Sequence, residues 1–158
     1  MRLFFIFCSV LGLAQATAFA QDTVSMIGQS MQGTWIVQFP DPGGKLLPFA
    51  VATYSVDGSF TAASVNPSQS THKGVWLRTG DRKFLVTLMY FTHDDKGAFN
   101  GTTKVRLWVS LGEDLKSYDS LGEGIVLDAS GNELMKIPKI VGHAVRMDAE
   151  LPTIPAPQ

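Results

Sequence analysis

The sequence predicts an all-β protein of about eight antiparallel strands joined as an up-and-down barrel. Three observations carry that prediction. Turn signals recur at short intervals from Gly33 to Met147: Asp57-Gly58, Thr79-Gly80-Asp81, Asp94-Asp95-Lys96-Gly97, Gly112-Glu113-Asp114 and Ser130-Gly131-Asn132. The runs between them are rich in aromatic and β-branched residues, the composition of pleated, half-buried strands. Beyond the first twenty residues no long stretch has helical periodicity, and no segment repeats. Many short strands with short connections suit a closed barrel, because closure removes exposed sheet edges.

Each strand follows from its own residues. Gly33 to Phe39 opens the set and is stopped by Pro40-Asp-Pro-Gly-Gly44, which cannot continue a ladder. Phe49 to Val56 and Ser59 to Ala63 read as a hairpin across Asp57-Gly58, a favoured type I′ pair. A looser segment, Val65 to Ser70, leads into Lys73 to Arg78. Lys83 to Thr92 and Gly101 to Leu111 come next as strands. Ser117 to Asp128 and Leu134 to Met147 complete the set, with Pro138 expected to break or bulge the last strand so that pairing resumes at Ile140.

Register then sorts the faces, since one residue of slip reverses a strand. A two-residue loop at Asp57-Gly58 places Ser55 opposite Phe60 and Thr53 opposite Ala62. Phe49, Val51, Thr53, Phe60 and Ala62 would share a face. Even loops at the next two turns give one nearly pure apolar face that includes Val75, Leu77, Phe84, Leu88, Tyr90 and Leu107. The opposite face mixes Trp76, Met89, Phe91 and Trp108 with Lys104 and Arg106. The apolar set is the expected lumen, because an unpaired guanidinium inside a barrel is costly. The inverse arrangement would make Arg106 and Lys104 anchors for an anionic ligand.

The chain ends read differently. Met1-Arg2, the apolar run Leu3 to Leu13, and Ala18-Phe19-Ala20 before Gln21 form a secretory signal pattern over residues 1–20. The run is too short for a span, which needs about 20 apolar residues. Residues 21–32 form a lead-in, 33–147 the barrel domain, and 148–158 a Pro-rich extended tail. Removal of the leader leaves roughly 140 residues, enough for one core without disulfide staples. Cys8 is the single cysteine and falls inside the leader. Phe7 before it does not suit lipid attachment, so a periplasmic or extracellular location is expected. The formal net charge is −1, and loss of Arg2 lowers it by one unit, which gives no electrostatic basis for nucleic-acid binding.

Catalytic patterns are weak. His72, His93 and His143 lack metal-ligand spacing, and His93-Asp94-Asp95 suits a solvated turn. His143, in Val141-Gly-His-Ala-Val145, reads as a core or interface histidine. Ser117-Tyr118-Asp119-Ser120 reads as turn chemistry, and no Gly-x-Ser-x-Gly element is present. Gly122-Glu-Gly124 has no strand-to-helix context for a phosphate loop. The pattern therefore calls for no catalytic residue, metal or cofactor.

Gly33-Thr34-Trp35 at the first strand, with Arg146 near the end of the last, resembles the lipocalin-like (calycin) barrels in a divergent bacterial form. That resemblance implies structural roles for Trp35 and Arg146: the tryptophan closes one barrel end and the basic residue packs across it. It also implies that the lumen binds a small hydrophobic or amphipathic molecule. Phe60, Phe84, Leu88, Tyr90 and Leu107 are the expected lining, with the Tyr90 hydroxyl a polar anchor. Two other readings stand beside it. One is a barrel isomerase or cyclase, resembling allene-oxide-cyclase-like barrels, which would need Arg106, Lys104 and Thr87 in the cavity. The other is an interaction module with no ligand, self-associating or binding a partner through an outer Trp76/Trp108 face.

Overall fold

The computed structural model describes residues 31–150. The expected leader over 1–20, nearly all of the expected lead-in and the tail from 151 lie outside the described residues. Eight strands follow in chain order: β1 Gly33–Pro40, β2 Leu46–Tyr54, β3 Ser59–Ser64, β4 His72–Gly80, β5 Lys83–His93, β6 Phe99–Leu111, β7 Ser117–Asp128 and β8 Glu133–Arg146. Each pairs antiparallel with the next, and β8 returns to β1 to close the barrel. The seam is short, running only from Trp35↔Arg146 to Gln38↔His143.

Two turns correct the expected register. The β2–β3 loop is not a two-residue type I′ turn. Ser55 N–H donates to the Ser59 carbonyl at 3.0 Å and Gly58 N–H to the Ser55 carbonyl at 3.1 Å. Gly58 has φ +82°. This is a three-residue loop with glycine at the left-handed position. Tyr54 therefore pairs with Phe60, and Thr53 with Thr61. The odd loop turns Ala50, Ala52 and Tyr54 inward, while Val51 is 44% exposed. Thr53 lies on the same outward face.

The β4–β5 turn carries the second correction. Gly80 pairs with Lys83 but Arg78 pairs with Phe84, so Thr79 is an extra residue in the ladder. That bulge places Trp76 opposite Val86, inside the barrel. Val75 and Leu77, expected inside, are 61% and 52% exposed. On β5 and β6 the expected faces stand: Phe84, Val86, Leu88, Val105 and Val109 are buried, and Trp108 is 61% exposed. Pro138 sits in a bulge of β8, between Gly124↔Ile137 and Gly122↔Ile140.

One end of the barrel is filled by aromatic rings. Trp35 packs on Tyr118 with centroids 4.9 Å apart, Tyr54 meets Phe60 at 5.0 Å, and Trp76 meets Phe84 at 5.8 Å. Tilted and edge-on ring pairs of this kind are favourable beyond the area they bury. Arg146 lies across the end, its guanidinium carbon 4.2 Å from the Trp35 ring centroid. Arg146 Nε donates to the Leu115 carbonyl at 2.9 Å, and Nη1 donates to the Gln32 carbonyl. Trp35 Nε1 donates to the Met31 carbonyl at 2.9 Å. Gly33 makes room for this closure: at φ +118° a Cβ would stand 2.8 Å from Arg146 Nη1.

Candidate functional site

The opposite half of the barrel is hollow. A cavity of about 110 Å³ begins at the aromatic floor and runs toward the end that carries the loops after Pro40, Ser64, His93 and Asp128. Tyr54, Phe60 and Tyr118 form its floor and are nearly fully buried. Leu88, Val105 and Leu107 line it from the long strands β5 and β6, and the small side chains of Ala50 and Ala62 line it from β2 and β3. Those two alanines leave the space that larger residues would fill. Toward the rim, Phe39, Phe49, Tyr90 and Ile140 are only half-buried, which marks the mouth. Phe39 and Phe49 meet edge-on at 4.7 Å there.

Few polar groups reach this space. The hydroxyls of Tyr54 and Tyr118 lie 3.2 Å apart. Burial raises both, Tyr118 to about 12, so the two phenols stay neutral. Ser120 Oγ donates to the Gly142 carbonyl at 3.2 Å. His72, at the first position of β4, is buried and stacks on the Tyr90 ring at 4.2 Å and 18°. Its Nε2 is 3.1 Å from Gln69 Oε1, so Nε2 carries the hydrogen and donates. Burial lowers the His72 pKa from its ordinary value, which favours neutral imidazole.

Four of the five residues expected to line the lumen are in the cavity wall: Phe60, Leu88, Tyr90 and Leu107. Phe84 points inward too, but one layer deeper, against Trp76 in the aromatic plug. Sequence reasoning missed Tyr54, His72, Tyr118 and Ser120. The wrong hairpin register hid Tyr54. His72 sat one residue before the expected strand start. The stretch Ser117-Tyr118-Asp119-Ser120 carries turn chemistry, which hides that Tyr118 and Ser120 stand on the inward alternation of β7 and pair with Leu111 and Val109.

The cations stay outside. Arg106 Nη2 makes a 2.9 Å ion pair with Glu123 Oε1 on the outer surface, and Lys104 is exposed on the same face. Thr87 pairs with Arg106 and shares that orientation. His143 is also outward, with Nδ1 2.8 Å from Asp119 Oδ1. Among the described residues no group of three or more His, Cys, Asp or Glu side chains is placed to hold a metal ion. No helix among them is long and apolar enough to cross a membrane.

The cavity is small for a ligand-binding barrel. Pockets for drug-sized ligands span roughly 300–1,000 Å³. An apolar cavity of about 150 Å³ accepts benzene. The enclosed space here is smaller, so a molecule the size of benzene or phenol would set its apolar body against Leu88 and Leu107 and extend into the half-buried rim. A hydroxyl or carbonyl on that molecule would meet His72 or the tyrosine pair. Comparison of the chain with protein-family models, with curated proteins and with solved structures returns no match.

Proposed function

We propose that this chain is an exported, lipocalin-like barrel that takes a compact hydrophobic or amphipathic molecule into the open half of its lumen. The observation that carries the proposal is the half-filled interior. One end is plugged by aromatic rings and closed by Arg146. The other keeps an apolar cavity whose polar side chains are few: His72, Tyr90, the tyrosine pair and Ser120. Cavities that exist only by packing failure cost stability, so alanines at positions 50 and 62 are best accounted for by an occupant. Export rests on the leader pattern at 1–20, with Gln21 as the expected mature terminus. The mid-strand Arg106–Glu123 pair on the outer surface suits water, since charges facing lipid destabilise a barrel. The isomerase or cyclase alternative loses the feature it required, because Arg106, Lys104 and Thr87 face away from the cavity.

Saturation-transfer NMR with phenol and benzene as probes tests the reading. Both should receive magnetisation from the wild-type barrel, phenol more strongly because its hydroxyl can reach His72. Ala62→Leu, which fills the cavity, should abolish both signals while the barrel stays folded. Absence of transfer in the wild type, or equal transfer in the filled variant, would overturn the proposal.

A further inference from the structure

The outer surface of the barrel carries a row of apolar residues running across five strands. Leu77 pairs with Leu85, Leu85 with Trp108, Trp108 with Leu121, and Leu121 with Val141. Four of the five are exposed by about half or more, and Trp108 at the centre most of all. On one side of this row lie Lys83, Ser110 and Asp119; on the other, Thr87, Arg106 and Glu123. A contiguous exposed apolar patch rimmed by polar groups marks an interaction surface.

The arrangement is self-complementary, and we infer that this face binds a second copy of the chain about a two-fold axis parallel to β6 through Trp108. Such an axis exchanges β5 of one copy with β7 of the other and keeps each row at its own height. Lys83 then faces Asp119 of the second copy, twice over, because the contact is isologous. Leu85 faces Leu121, Thr87 faces Glu123, and the two Trp108 rings meet on the axis. Arg106 meets its own symmetry mate, but each is already neutralised by its Glu123 at 2.9 Å. A two-fold axis running across the strands would instead set Asp119 against Glu123, a like-charge contact that disfavours that alternative. The barrel is convex, so the contact is centred on β5, β6 and β7, where the complementarity is best. Lys83 now donates to Ser110 at 2.8 Å within one copy and has two further N–H groups for the carboxylate opposite.

Sedimentation velocity over a range of concentrations, on the protein recovered from cells expressing the full sequence, tests this. The wild type should show a concentration-dependent dimer, and Trp108→Glu should sediment as a monomer. Lys83→Asp and Asp119→Lys should each weaken association by about tenfold, and the double reversal should restore most of it, since the pair is exchanged across the interface. Circular dichroism and thermal unfolding show that the variants fold. A wild type that stays monomeric, a dimer indifferent to Trp108→Glu, or a double reversal without rescue would each overturn the inference. A monomer that captures some other partner on this face is among those outcomes.

Discussion

His72 lines the cavity with an aromatic stack on one side and an amide on the other. The groups facing it are Gln69, Tyr90 and Phe49, none of them charged at neutral pH. Protonation would put a cation among apolar walls, and burial accordingly lowers the folded pKa. The unfolded chain titrates near pH 6.5. The folded state therefore binds fewer protons below that pH, and stability falls as pH drops through the folded pKa. Above about pH 6.5 the contribution is fully present. Chemical denaturation of the wild type should show this loss on acidification, whereas His72→Phe should be flatter through the same window. Equal slopes for the two proteins would show that His72 does not carry the effect. The type of residue 72 was plain in the chain, but its partners were not: Gln69 comes from a connecting loop and Tyr90 from a neighbouring strand.

The turns show how much structure one short motif can impose. Asp41, Asp94 and Asp128 each open a loop whose fourth residue is glycine with positive φ, namely Gly44, Gly97 and Gly131. In all three, the Asp Oδ1 accepts two backbone N–H bonds at 2.8–2.9 Å. At Asp128 the Asn132 side-chain amide also donates to Oδ2 at 3.0 Å, and that bond, with the backbone N–H bonds behind it, lowers the carboxyl pKa, as hydrogen bonds to a carboxylate do. Strand glycines have a different cause. A Cβ on Gly122 would collide with the Arg106 carbonyl oxygen of the adjacent strand, so the close approach of β6 and β7 depends on its absence. The two kinds of glycine should respond differently. Gly131→Ala meets nothing nearby and should cost only the conformational strain, about 1 kcal/mol. Gly122→Ala must displace backbone and should cost about 2–3 kcal/mol. Urea denaturation of both variants measures the difference, and equal losses would contradict this account.

Closure joins the most distant parts of the described chain. The β1–β8 seam pairs Trp35 with Arg146 but extends over only four residue pairs, whereas β5 and β6 pair from Lys83↔Ser110 to His93↔Phe99. Long-range closure costs loop entropy before its contacts form. Arg146 compensates by tying the last strand to the Leu115 and Gln32 carbonyls and to the Trp35 ring. Hydrogen exchange should therefore find the slowest strand amides in β5 and β6 and faster exchange at the seam. Arg146→Ala should destabilise the protein by about 2–4 kcal/mol, from a lost cation–π contact and charge-assisted hydrogen bonds. It should also speed exchange in β1 and β8 before β5 and β6. Uniform acceleration across all eight strands would mean that the seam is not a separate weak point.

The number of strands, their order and their hairpin connections were legible in the chain, because turn residues and β-branched runs act locally and each announces its own element. The inward faces of β5 and β6 were legible too, since both strands alternate strongly and the loop between them conserves their relative phase. The faces of β2 and β4 were not. Their orientation hangs on a single residue: the extra member of the Val56-Asp57-Gly58 loop and the bulge at Thr79. A sequence pattern does not distinguish a two-residue turn from a three-residue turn at Asp-Gly, yet one residue exchanges inside for outside. That exchange brought Tyr54 and Trp76 into the barrel and put Val75 and Leu77 on its surface. It also settled which aromatic rings plug the closed end. The cavity itself is the space left beside two alanines on β2 and β3, and such a space exists only once all eight strands have closed around it.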